Sequence, residues 1–178
     1  MGLNRVRAFT CLVGLLVCVI VLTTGPGRPA KAQDFTIAEM TYGNWMIYAY
    51  AENGVFSHCG VDTVYPQSGR TLGLQVRSWG FDMVLVDPQW RLPQGSLGSA
   101  YLQIGRFTTY AQAEVSGSAD TVFVDLGWSD PFLDAFARSQ SMSVVLPNGS
   151  RWAADLTGTA RLVSLLDDCI HNYRDFGR

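Results

Sequence analysis

Cys59 and Cys169 are the residues of this 178-residue sequence best placed by type and spacing to do chemistry, and each has a histidine close by, in His58-Cys59 and Cys169-Ile170-His171. Three kinds of chemistry can be built from such a set. A thiolate beside a base is a nucleophile. Two thiolates and two imidazoles can hold a tetrahedral zinc ion. Two thiols in an oxidising compartment join as a disulfide. The elements that carry the residues decide among these. Adjacent residues on a strand face opposite ways, so His58 and Cys59 cannot both turn to one metal. Two positions along a helix amount to about 200° of rotation, so Cys169 and His171 are no better placed. The disulfide Cys59–Cys169 is therefore the predicted fate, with no metal and no cofactor, and the loop it closes implies about 4–5 kcal/mol in the chain-entropy model.

The nucleophile reading has one motif in its favour. Ser57-His58-Cys59-Gly60 superficially resembles the Ser-His-Gly-Cys core of L,D-transpeptidases, but cysteine and glycine are transposed. The arginine expected soon afterwards is absent, since Val61, Asp62 and Thr63 follow. Serine hydrolysis needs a serine, a histidine and an orienting carboxylate, and the chain has no G-x-S-x-G elbow. Asp130 and Asp134 share a helical face and Asp167-Asp168 closes a helix; both pairs are expected as solvated surface. Gly95-Ser96-Leu97-Gly98 lacks the lysine and the strand-to-helix context of a phosphate loop. No catalytic residue is predicted.

An oxidising compartment is indicated by the N-terminus. Arg5 and Arg7 precede an apolar stretch from Ala8 to Leu22, and Ala30-Lys31-Ala32 offers a small-residue cleavage site, as in a secretory signal. Cys11 and Cys18 belong to that leader. Leu16-Val17 before Cys18 is too bulky for a lipoprotein signal. Residues 1–32 are expected to be removed, leaving 33–178 as a single exported domain in the periplasm or outside a Gram-negative cell. The alternative is an uncleaved anchor, although the apolar run is shorter than the roughly 20 residues a spanning helix needs. The leader takes Arg5, Arg7, Arg28 and Lys31 with it, so nine of the 13 basic residues face all 15 acids and the formal charge is −6. Every remaining base is an arginine. That balance excludes a nucleic-acid partner and attraction to anionic lipid, and the missing lysines exclude Schiff-base chemistry.

The elements follow a β pattern from Gly43 onward. Asn44–Tyr50 and Val55–Asp62 flank Asn53-Gly54, a tight hairpin turn, and Cys59 is expected to share a face with Val55, Ser57 and Val61. Thr71–Trp79, Phe81–Val86, Ala100–Phe107, Tyr110–Val115 and Thr121–Leu126 read as further strands, with Gln89–Ser99 as a loop. Ser129-Asp130-Pro131 opens a short helix near 130–139. Ser141–Leu146 and Ser150–Leu156 form a second hairpin around Asn148-Gly149. Leu162, Leu165, Leu166, Cys169, Ile170 and Tyr173 recur on one face of a terminal helix near 159–171, with Thr157 or Thr159 as its cap. The fold class is thus mostly β, a single antiparallel sandwich or flattened barrel with a short helix and a C-terminal helix. Of the five tryptophans, Trp90 and Trp128 fall in loops or turns, where sheet packing explains them least; these two are the candidate binding residues.

Gly43-Asn44-Trp45, a cysteine on the following strand, and a closing run of Asp155-Leu156-Thr157-Gly158-Thr159-Ala160, Leu165-Leu166 and Cys169 resemble the invasion-associated locus B family of small exported bacterial proteins. The likeness covers some 30 residues at the two ends, and the family's usual additional cysteine pair is missing here. The resemblance implies a β-rich periplasmic or surface protein, linked to host interaction or envelope maintenance, without catalysis. It transfers no functional residue. The sequence therefore points to an exported, non-enzymatic binding or envelope-associated protein whose partner is a protein or other envelope macromolecule. The alternatives are an accessory subunit held by an uncleaved N-terminal helix and a cell-envelope enzyme. The exported protein is expected to begin at Gln33 and to take up a thiol label only after reduction. Intact mass with and without reduction and alkylation checks both, and a retained leader or labelling without reduction contradicts them.

Overall fold

The computed structural model describes residues 33–178; the expected leader, its cleavage site and its alternative reading as an anchor lie outside the described residues. Ten strands follow in chain order: β1 (Phe35–Tyr42), β2 (Trp45–Glu52), β3 (Val55–Tyr65), β4 (Arg70–Arg77), β5 (Gly80–Val86), β6 (Gly95–Ile104), β7 (Phe107–Val115), β8 (Thr121–Gly127), β9 (Ser141–Val145) and β10 (Arg151–Asp155). Helix α1 (Asp130–Arg138) lies between β8 and β9, and α2 (Leu162–Tyr173) follows a single 3-10 turn at Thr159–Arg161. Among the described residues no helix is long and apolar enough to cross a membrane.

All pairings are antiparallel, in the order β1-β2-β3-β4-β5-β8-β7-β6-β9-β10. Hairpins explain most of that order. The Asn53-Gly54 turn has φ values of 52° and 78°, the left-handed pair that a two-residue hairpin needs. The sheet folds back over itself without closing: β1 and β10 remain unpaired edges, yet the Tyr65 hydroxyl on β3 donates to the Asp155 carbonyl on β10 at 2.7 Å. Tyr65 also packs edge-on against Trp152. The two halves of the sheet thus enclose one apolar core, with Trp152, Phe132 and Phe136 among its largest fully buried side chains.

The helices close the ends of that core. Ser129 caps α1 by accepting from the Phe132 amide at 3.3 Å, with Pro131 in the first turn, as its sequence predicts. On α2, Leu162, Leu166 and Cys169 turn inward against β2 and β3. The Cys59 and Cys169 sulfurs are bonded, with Cα atoms 6.1 Å apart and 110 positions between them in the chain. A second fastening lies at the start of the helical segment. The Trp45 indole N–H donates to the Thr157 carbonyl, and Gly158, at φ 92°, turns the chain beside that ring. The Thr159 hydroxyl reaches the Phe136 carbonyl at 2.6 Å and the Leu156 carbonyl at 2.8 Å, tying this turn to α1. The segments Gly43–Trp45 and Thr157–Thr159 therefore meet in space.

Four expectations need correction. An unforeseen strand, β1, precedes Gly43; both of its faces are largely exposed and a bulge between Thr36 and Ala38 interrupts its alternation, so it leaves no period-two apolar signal. Strand β6 starts at Gly95, shortening the expected loop to residues 87–94. Cys59 shares its face with Val61 and Phe56 rather than with Val55 and Ser57, because the β2–β3 register shifts between the Tyr50–His58 and Ala51–Phe56 pairs. Such a bulge flips every residue beyond it. Finally, no threonine side chain caps α2, whose flanking residue is Arg161; the Thr159 hydroxyl serves the carbonyls named above. Replacing both Cys59 and Cys169 by alanine is expected to lower unfolding stability by about 4–5 kcal/mol, read as a fall in urea midpoint; an unchanged midpoint contradicts the clasp.

Candidate functional site

The residues singled out for chemistry do not converge. Cys59 is fully buried and Cys169 nearly so, both consumed by their bond. His58 points to the sheet face opposite Cys59, whereas α2 with His171 lies on the Cys59 side. The two histidines are thus not brought together: alternation along β3 places the sheet between them. Among the described residues no group of three or more His, Cys, Asp or Glu side chains gathers as a metal site would.

The tryptophans separate by environment. Trp90 is half-buried and packs on the core, held by a backbone bond from its amide to the Asp87 carbonyl, so core packing accounts for it. Trp128 is 64% exposed. Its position is built by the backbone before it. Phe81 pairs with Gly127, the register then shifts, and a side chain on Gly80 would overlap the Gly127 backbone. The Gly127 amide donates to Asp125 and its φ is 54°, a conformation that favours glycine. The chain leaves β8 through this tight corner and sets the Trp128 ring edge-on to Phe81, with centroids 5.1 Å apart. Ser129 starts α1 in the next step.

Trp128 and Phe81 stand at one end of an open groove of about 740 Å³ between α1 and α2. Its floor is apolar, with Leu133 from α1 and Val163, Leu166 and Ile170 from α2. Asp130 and Asp134 line the α1 side and Asp167 the α2 side. Arg138, at the same rim, is already engaged by Asp134 at 2.8 Å across one helical turn. The groove thus combines an apolar floor, a large exposed aromatic and charged margins. Sequence reasoning found Trp128 through its turn, and it named Asp130, Asp134 and Asp167 only as solvated carboxylates. The signal for the groove was the pair of amphipathic helices, but their mutual placement depends on the Thr157–Thr159 fastening.

A second polar assembly covers the outer face of β2–β5. The Tyr48 ring lies across Gly60, where a Cβ would overlap it, and the Tyr48 and Tyr50 rings flank His58. Arg77 reaches Glu52 and Asp82, each at 3.3 Å, and Gln75 at 2.9 Å, with its guanidinium 5.3 Å from the Trp79 ring centre. Ser57 Oγ and Glu52 Oε1 both approach His58 Nδ1, at 3.1 and 4.0 Å. A hydrolytic relay needs the nucleophile and the carboxylate on different ring nitrogens, so this trio lacks relay geometry. Burial raises the pKa of Asp82 despite the neighbouring Arg77, and raises those of Asp62 and Tyr48. His58 is only 4% exposed, and burial, reinforced by the Arg77 charge, lowers its pKa from 6.5 to about 4. The unfolded chain therefore binds a proton near pH 6.5 that the folded one refuses until about pH 4. The stability this neutral histidine preserves is complete above pH 6.5 and lost as pH falls toward 4, amounting to about 3 kcal/mol. Urea unfolding of His58→Gln is expected to show a correspondingly smaller loss across that window; an identical slope contradicts it.

No protein-family model matches the chain, and no curated protein matches it. Among solved structures, that of invasion associated protein B from Bartonella henselae is similar, with a TM-score of 0.50 and 13% sequence identity over 74% of this chain and 96% of that one. At that identity the likeness is one of fold alone. That likeness of fold covers nearly the full length of the neighbour.

Proposed function

We propose that this chain is an exported, disulfide-stapled protein without catalytic activity that binds another macromolecule through the groove between α1 and α2. The observation that carries the reading is Trp128, a large aromatic held outward by the Gly80–Gly127 corner at the end of an apolar groove. Leaving so much apolar surface in water is unfavourable, and exposed aromatic-apolar patches with polar margins mark interaction sites. Export is supported by the leader pattern of residues 1–32 and by a disulfide of the kind that persists in oxidising compartments. The periplasm or exterior of a Gram-negative cell is the compartment this implies. The structural neighbour is named for association with invasion. A host-facing role at the envelope is the finer form of the proposal, and the partner is then a protein or other macromolecule of the envelope or of the host surface.

The test is quantitative capture by the immobilised exported protein from envelope and host-surface fractions, beside its Trp128→Ala variant. A tryptophan anchor is worth about 2 kcal/mol or more at a binding surface. The variant is expected to retain the fold, since the side chain is mostly exposed, and to lose bound partner by at least about ten-fold. Equal capture by both proteins contradicts the assignment to this face.

A further inference from the structure

We infer that the α1–α2 groove takes a short apolar peptide segment flanked by arginine or lysine, a reading that rests on the binding role just proposed. The groove selects by three properties at once. Its floor, from Phe81 through Leu133 to Val163 and Ile170, is apolar and offers nothing to a fully hydrated ligand. Its two banks carry carboxylates, and the one lining cation, Arg138, is neutralised by Asp134 at 2.8 Å. Asp130 on the α1 bank and Asp167 on the α2 bank are then left without a counter-charge from the groove lining, so each side is negative. An anionic occupant is repelled from both, and the formal charge of −6 over residues 33–178 adds to that repulsion.

Trp128 supplies the third property. Exposed at the groove mouth, its ring can take a guanidinium or ammonium over its face and the methylene stem of the same side chain along its edge. The length of the groove limits the segment. Helix α1 has nine residues and so rises roughly 13 Å, which is spanned by about four residues of extended chain. The occupant is thus about four apolar residues with a basic residue at either flank.

The probes are three fluorescein-labelled peptides: Arg-Leu-Ala-Ile-Leu-Arg, the same core flanked by glutamate, and Arg-Ser-Ala-Ser-Ser-Arg. Each is titrated with the exported protein by fluorescence anisotropy at low and at physiological salt. The arginine-flanked apolar peptide is expected to bind at least about ten-fold more tightly than either control, and more weakly as salt rises. Trp128→Ala and the isosteric double substitution Asp130→Asn with Asp167→Asn are each expected to weaken it about ten-fold, the double variant also losing the salt dependence. Both variants change exposed side chains, and circular dichroism confirms that they fold. Equal binding of arginine- and glutamate-flanked peptides, or no effect of the aspartate substitutions, overturns the inference. Self-association that Trp128→Ala abolishes also overturns it, because the occupant is then a second copy. If no peptide binds while Trp128→Ala still loses the captured partner, the binding role stands and the cationic-apolar segment falls. If Trp128→Ala alters neither assay, both fall.

Discussion

The Cys59–Cys169 bond is the constraint around which the rest of the molecule is arranged. Helix α2 covers the inward faces of β2 and β3, where Ile47, Ala49 and Val61 are buried, and the bond fixes which turn of the helix lies over which residue of the strand. Its effect is amplified by the 110 positions it spans, because closing so long a loop removes much of the freedom of the unfolded chain. The hydrogen bond from Trp45 to the Thr157 carbonyl and the Thr159 contacts to Leu156 and Phe136 then set the direction from which α2 arrives. These few residues couple three parts of the fold: the first core hairpin, the end of α1 and the start of α2. The groove is the space that remains between two helices fastened in this way.

Strand β3 shows how one short segment serves two environments. Cys59 faces the core and is sealed there by α2, whereas His58 faces the outer layer of Tyr48, Tyr50, Glu52 and Arg77. Beyond Cys59 and His58 the bulge at Ser57 turns Phe56 inward opposite Ala51 and sets Ser57 beside the His58 ring. The outer layer is a lattice in which Arg77 is held by Glu52, Asp82, Gln75 and Trp79 at once. A guanidinium so fully committed has little left for a ligand, and its planar fork is suited to such multiple bonding. Structure, rather than chemistry, accounts for this face, although it gathers the serine, histidine and acid types that a hydrolase would use.

The opposite holds for the groove. Its residues are ordinary ones, yet the fold leaves them unsatisfied: Trp128 is held in solvent by a backbone corner where a side chain on Gly80 would overlap Gly127, whose φ of 54° favours glycine. A core tryptophan such as Trp152 repays its size by complete burial, whereas Trp128 does not.

Much of the architecture was legible in the chain because it is written in local or pairwise terms. Asn53-Gly54 demands a two-residue hairpin, Ser129 with Pro131 opens a helix, and the spacing from Leu162 to Tyr173 gives α2 its apolar face. Residues 33–178 hold two cysteines and so have only one intramolecular pair to form. The misreadings came where long-range register overrides local pattern. Strand β1 carries no buried stripe, and the bulge at Ser57 reverses the faces that simple alternation assigns. The groove was beyond the sequence for the same reason: Asp130 and Asp167 read as separate solvated carboxylates until packing brings α1 beside α2. Composition and spacing decided the class of fold and its covalent staple, because turns, caps and a single thiol pair are energetically self-sufficient. Which side chains share a surface was left to the tertiary structure, because that depends on strand register and helix placement summed over the whole chain.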